Sequence, residues 1–227
     1  MLVPTLITAI LLFTGCASTP DVDPWEGFNR KVFAFNDAAD RWVLRPVAKG
    51  YTVVTPDPVE RGFSNVFSNV LEIRNVLNDL LQWKWGQAGN DFGRLLINST
   101  LGIGGIFDVA KHMSLPKGEG EDFGQTLAVW GVGQGPFVML PFLGPSNLRD
   151  TTGLPLDWAA DPISYIDNVP ARNITRAMDF IVDRAALLDV EELISGDKYL
   201  FFREAYLQRR DYLIKDGEIE DDFGDDF

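Results

Sequence analysis

Apolar and polar positions follow a helical period along most of this chain and lose it in one place. From Trp25 the apolar residues Phe28, Val32, Phe35, Ala39 and Trp42 recur at steps of three and four, a continuous stripe down one helix. Asp23-Pro24 ahead of the stripe reads as its N-cap and first helical residue, and Arg45-Pro46 closes it. Val47 to Val54 is a short segment stopped by Pro56 and Pro58. A second long helix is predicted from near Pro58 to about Trp85, with Val59, Phe63, Val66, Val70, Leu77, Leu80 and Leu81 lining much of its buried side. Gln87 to Ser99 reads as a third helix, ended by the stretch Gly102-Ile-Gly104-Gly105.

Between Gly102 and Pro145 the period disappears. Gly131, Gly133 and Gly135 alternate with Val132 and Gln134, and Pro136, Pro141 and Pro145 bracket the apolar run Phe137 to Leu143. Helix is disfavoured there, and an extended hairpin or a glycine-hinged loop is predicted. Helical spacing returns with Ile174, Met178, Ile181, Ala185 and Leu188, and a last helix carries Tyr199, Phe202, Tyr206, Arg209 and Leu213. No period of 20 to 50 residues recurs, which argues against a solenoid. The fold class read from this pattern is all-α, a single domain over residues 23–214 with one glycine/proline-rich hairpin insert.

The N-terminus carries a different signal. Leu2 to Phe13 is a short apolar run ending in Leu12-Phe13-Thr14-Gly15-Cys16, so residues 1–15 read as a secretory signal with the sole cysteine at the first mature position. That is the arrangement of a bacterial lipoprotein. The run is too short for a transmembrane helix, which needs about 20 apolar residues. Acylation of Cys16 would anchor the chain, each buried CH₂ adding ~0.8 kcal/mol of membrane affinity. Residues 16–22 then serve as a linker, and Ala17 behind the cysteine favours sorting to the outer membrane.

Composition narrows the chemistry. A single cysteine, used as the anchor, leaves none for disulfides, a thiol nucleophile or zinc-thiolate ligation. His112 is the single histidine, it stands beside Lys111 in a predicted loop, and no Gly-x-Ser-x-Gly elbow exists for it to serve. No catalytic set, metal site or cofactor is therefore assigned. Gly102-x-Gly104-Gly105 lacks the spacing and the preceding strand of a dinucleotide loop. Asp-Phe-Gly occurs at Asp91, Asp122 and Asp222 without the other kinase motifs. The formal charge is −13, which argues against nucleic acid. Much of it sits in the acidic tail, residues 215–227, too charged and too poor in apolar residues to fold alone.

Six tryptophans and sixteen phenylalanines are a heavy aromatic load for this length. Such residues suit either a large core or a membrane interface, where the ring is half buried. The anchor at Cys16 favours the interface.

Several runs resemble the MlaA (VacJ) family of outer-membrane lipoproteins. They include Asp23-Pro-Trp-Glu-Gly-Phe-Asn-Arg30, Arg45-Pro-Val-Ala48, Asn98 to Asp108, Gly131-Val-Gly-Gln-Gly-Pro136, Leu148-Arg-Asp150 and Arg184-Ala-Ala-Leu-Leu-Asp189. The resemblance implies a helical ring lying in the inner leaflet of the outer membrane and bound to a trimeric outer-membrane porin. It also implies an amphipathic channel that takes mislocalised phospholipids from the outer leaflet and passes them to the periplasmic carrier MlaC. In the family the Gly131–Pro136 region matches a hairpin beside the channel, and Gly131, Gly133, Gly135 and Pro136 form a candidate gate with Gly131 and Gly133 as hinges. A non-transporting envelope scaffold that binds porins is the alternative. A lipid hydrolase would need a nucleophile and base that the chain does not offer.

Overall fold

A computed structural model describes residues 22–189 and 196–218. The signal 1–15, Cys16 and the tail beyond 218 lie outside the described residues. Helix α1 (Glu26–Ala39) passes through a π-helical turn (Asp40–Leu44) straight into α2 (Arg45–Val54). Arg45-Pro46 therefore does not close the helix as expected. Pro46 has no N–H to give, but it falls in the first turn of α2, where that loss is tolerated. The turn before it is widened, so that the Arg45 N–H reaches back five residues to the Asp40 carbonyl. Asp23 is not a simple N-cap either. Its buried carboxylate is taken up by Asn29, Tyr199 and Arg203.

Helix α3 (Asp57–Leu81) and α4 (Trp85–Thr100) form an antiparallel pair. The predicted end of α3 near Trp85 moves back because Trp83 adopts a left-handed conformation, φ 64°, and turns the chain. The Gly102–Pro145 stretch holds a 3₁₀ turn (Ala110–Met113) and a short helix, α5 (Phe123–Val129), which the glycine content did not predict. Asp122 starts α5 by accepting the Gln125 N–H at 2.8 Å. The predicted hairpin is present as β1 (Phe137–Leu140) paired antiparallel with β2 (Gly144–Asn147), Phe137 opposite Asn147. It follows the Gly131–Pro136 run rather than containing it. Helix α6 (Leu148–Ala160) begins on the Asn147 cap, and a 3₁₀ turn (Pro162–Tyr165), α7 (Val169–Ala186) and α8 (Lys198–Ile214) complete the described chain.

Contacts between these elements close into a circuit. α2 packs on α7, α7 on α3, α3 on α5 and α6, α8 on α5 and β2, and β1 on α1, which leads back to α2. Arg184 of α7 grips Asp40 of the π turn with two hydrogen bonds, 2.7 and 2.9 Å, and fastens one junction of that circuit.

What the circuit buries is the reverse of the sequence expectation. Among the described residues nineteen polar or charged side chains are buried against twelve apolar ones, four of which are alanine. On α3 the residues Val59, Phe63, Leu77, Leu80 and Leu81 are exposed, while Asn69, Glu72, Asn75, Asn78 and Asp79 are buried. The α1 stripe faces out as well, with only Val32 buried and Trp42 77% exposed. A 3.6-residue period fixes which positions share a face, and the medium outside decides which face turns inward. No helix among the described residues is long and apolar enough to cross a membrane.

Candidate functional site

The polar interior starts from helical spacing. Glu72, Asn75, Asn78, Asp79 and Gln82 stand on one face of α3 or just past its end, and Asp91, Arg94 and Asn98 on the facing side of α4. Arg94 Nε donates to Glu72 Oε1 at 2.9 Å and its Nη2 to Asp108 at 3.2 Å, with Arg94 and Glu72 side chains each 3% exposed. Asn98 donates to Asp108 and accepts the Ala110 N–H, which holds the loop after α4 against the helix. From the loop before α5, Glu121 accepts from Gln82 at 2.7 Å and from Lys84 at 3.0 Å. Thr126 of α5 donates to Asn78 at 2.7 Å. Most of these are charge-assisted bonds, and they stand where a soluble helix pair would carry leucines.

Asp79 and Asp91 meet inside this network, both fully buried. Loss of water and the neighbouring Asp91 and Glu121 carboxylates push Asp79 up to about 8, and burial also raises Asp91. Two carboxylates this close cannot both ionise in a dry site, so they share a proton at neutral pH.

A second anchor joins α5, α6 and α8. Arg210 binds Asp122 and, through Nε at 2.7 Å, Asp150, which also accepts from the Tyr206 hydroxyl. Gly124 makes room for it, since a Cβ there would lie 2.5 Å from Asp150 Oδ1. The hairpin is fixed by side chains of α1. Asn29 donates to Phe137 O and accepts from Met139 N, and one heptad on Asn36 donates to Leu140 O and accepts from Phe142 N. Two side-chain amides thus stand in for a third strand along β1.

The candidate gate residues fall into two groups. Gly131 (φ 89°) and Gly135 (φ 66°) use left-handed backbone, and Gly133 does not. A Cβ on Gly131 or Gly133 would meet nothing within 4 Å, whereas one on Gly135 would press Leu148 at 3.1 Å. Pro136 O accepts the Leu148 N–H and Gln134 O the Arg149 N–H, so this half of the run is tied to α6. Val132 N–H is tied back to Leu127 O. Gly133 sits between those tethers in open space.

A lane of charge runs along the α3–α7 seam. At its wide end a cleft of about 340 Å³ is lined by Asp57, Glu60, Arg61 and Ser64 of α3 and Val182 and Ala186 of α7. Farther along, Lys117 donates to Ser68 at 2.8 Å and exerts its field on Asp183. Beyond it Arg74 lies in reach of Asp157 and Asp179, and Arg176 stands 3.6 Å from Asp161. Desolvation raises Asp157 to about 6, and desolvation together with Asp183 and Asp161 does the same to Asp179. Asp179 and Asp183 have no ion-pair partner within 4 Å among the described residues.

Of the residues that the sequence pattern singles out, His112 is exposed in the 3₁₀ turn Ala110–Met113, and Cys16 lies outside the described residues. The interior polar faces are a site that apolar periodicity alone does not mark. Their signal is present in the polar spacing of α3, which mirrors the apolar stripe, and the Arg176, Asp179, Asp183 spacing of α7 marks the half-open lane beside them.

A model of the family described as MlaA lipoprotein matches residues 21–213. Relatives named "Intermembrane phospholipid transport system lipoprotein MlaA" from Escherichia coli (strain K12) and Shigella flexneri are each 37% identical over 219 residues, 92% of this chain and 87% of theirs. A solved structure from work on the structural basis for maintenance of bacterial outer membrane lipid asymmetry superposes with a TM-score of 0.75 at 38% identity. It covers 85% of this chain and 98% of its own.

Proposed function

This chain belongs to the MlaA lipoprotein family, and we propose from that premise that it removes mislocalised phospholipids from the outer leaflet of the outer membrane. In this reading the acylated Cys16 anchors it, the circuit of helices lies in the inner leaflet with a trimeric porin beside it, and lipid passes through its polar interior to the carrier MlaC.

The observation that carries the reading is the inversion of the fold. Trp42, Val53, Trp83, Trp85 and Phe142 project outward, and the polar side chains Asn69, Glu72, Asn75, Asn78 and Asp79 of α3 and Asp91, Arg94 and Asn98 of α4 turn inward. A phospholipid needs that pairing, a polar path for its head inside a body whose exterior suits acyl chains. Helices supply it without exposing backbone to hydrocarbon. A scaffold that only bound a porin would have use for the apolar exterior but none for a charged lane with unpaired carboxylates. The run before β1 acts as the gate, its bending confined to Gly131–Gly133. Because Gly131 has φ 89°, proline is closed to it, and Gly133→Pro is the discriminating change. It should stop lipid removal with helicity retained, and Gly133→Ala should not.

The test is outer-leaflet phospholipid exposure in cells lacking the gene. Exposure should rise, return to normal with the wild-type chain, and stay high with Cys16→Ser. No rise on deletion, with porin binding intact in the wild type, would favour the scaffold.

A further inference from the structure

The α3–α7 lane carries both signs of charge, and its balance is uneven. Six carboxylates, Asp57, Glu60, Asp157, Asp161, Asp179 and Asp183, face four cations, Arg61, Arg74, Lys117 and Arg176. The cations are partly committed elsewhere. Arg74 Nε donates to the Glu121 carbonyl at 3.1 Å, Lys117 to Ser68, and Arg176 to Ser164 at 2.7 Å as well as facing Asp161. Each leaves charge to spare for an anion. Asp179 and Asp183 are the opposite case. They stand one helical turn apart on α7, Asp179 half-buried and Asp183 exposed to the lane, and make no direct ion pair among the described residues. A mobile cation placed between them would relieve both.

We propose that this lane is a head-group path that favours zwitterionic phospholipids, those with an ammonium beside the phosphate, over anionic ones. The proposal rests on the transport reading above. A zwitterionic head satisfies both halves of the lane at once, with its phosphate near Lys117 or Arg74 and its ammonium at the Asp179–Asp183 pair. An anionic head with a glycerol in place of the ammonium leaves that pair unrelieved and adds negative charge where carboxylates already prevail. Because the lane is partly wet, the preference is that of a screened ion pair. About fivefold is expected, the equivalent of about 1 kcal/mol.

The experiment uses the full acylated chain, purified in detergent and equilibrated with vesicles of equal phosphatidylethanolamine and phosphatidylglycerol. The lipid held after repurification is quantified by mass spectrometry. The wild type should hold phosphatidylethanolamine about fivefold over phosphatidylglycerol. Asp179→Asn/Asp183→Asn should fall to the ratio of the mixture. Asp179→Glu/Asp183→Glu, which keeps the charge, should restore the preference, as a merely structural role for these positions would not require. Asp211→Asn on the exposed side of α8 controls for general charge loss and should keep the wild-type ratio. A wild-type ratio equal to that of the mixture, or enriched in phosphatidylglycerol, overturns the preference while leaving transport intact. A wild type that holds no lipid overturns both.

Discussion

The hairpin and the α3–α4 pair bury opposite kinds of side chain within one chain. At the hairpin Phe137 and Met139 are wholly buried against Val32 and Tyr199, and Phe137 meets the rings of Tyr199 and Tyr206 edge-on. Between α3 and α4 the same depth is filled by Glu72, Arg94, Asn75, Asp79 and Asp91. The first region is packed as a water-soluble domain is packed, held by area removed from water. The second gains little from burying apolar surface, because apart from Phe67 and Ala88 its apolar side chains are half-buried or exposed. It is held by hydrogen bonds and ion pairs whose partners cannot be replaced by water. Under the proposed role, hydrocarbon meets the exposed apolar side of the helix pair, and its polar side is then the one left to turn inward.

The largest effect that would sharpen this contrast is Arg94→Ala. It leaves Glu72 without its ion-pair partner in the interior, and a loss of about 3–5 kcal/mol is expected on unfolding in detergent. A loss comparable to that of an exposed pair would mean that water reaches the α3–α4 seam. Next comes Asn29→Ala on the hairpin side. It orphans the Phe137 carbonyl and the Met139 N–H together, for about 2–3 kcal/mol, and a chemical denaturation series measures it.

The carboxyl pair gives an effect that is smaller per pH unit and has a definite sign. Asp79 is raised from 3.8 to about 8 on folding, so the folded state holds a proton that the unfolded state has released. The contribution of Asp79 to stability should be greatest below about pH 4, fall as pH rises towards 8, and level off above. The slope is at most about 1.4 kcal/mol per pH unit. Asp157 and Asp179, both raised to about 6, share the lower part of that window, and Asp79 extends it to about pH 8. Asp79→Asn should flatten the melting temperature across pH 6 to 8, and an unchanged slope would break the shared-proton reading. The smallest effect on the fold is expected from Leu80→Gln on the outer side of α3. Unfolding in detergent should shift by less than about 0.5 kcal/mol, while partition into vesicles weakens. A soluble domain would show no change in partition.

Much of the helix layout was legible in the sequence. The helices α7 and α8 were read from apolar spacing, and that spacing survives any change of surroundings. Which face points inward was not legible from the same stripe, because Val59, Phe63 and Leu77 repeat with equal regularity whether they meet a core or a bilayer. The expected helix break at Pro46 fails for a local reason, since the π turn at Asp40–Leu44 accommodates a residue without an N–H. α6 escapes the periodic pattern because Pro155 sits inside it and Gly153 packs against Gly124, both of which read as breakers. The charged lane joins α3, α6, α7 and the Lys117 loop, and only the folded chain brings those four segments together. The acidic tail meets the body earlier than its composition implies. Asp216 pairs with Lys84, and Gly217 lies against Tyr212.

The outward belt of large apolar residues, with Val53 84% exposed and Trp42 and Val54 both 77%, bears on how such a protein reaches its destination. In the proposed role it is made in one compartment and used in another, and in the water between them exposed apolar surface of this kind drives self-association. The finished ring is thus a poor passenger. Either the chain travels with its helices not yet assembled into a circuit, or an escort covers the belt until lipid does. The Arg184–Asp40 clasp and the Asn29–Asn36 hold on the hairpin, both linking segments more than a hundred residues apart, are the closures that such a journey would leave for last.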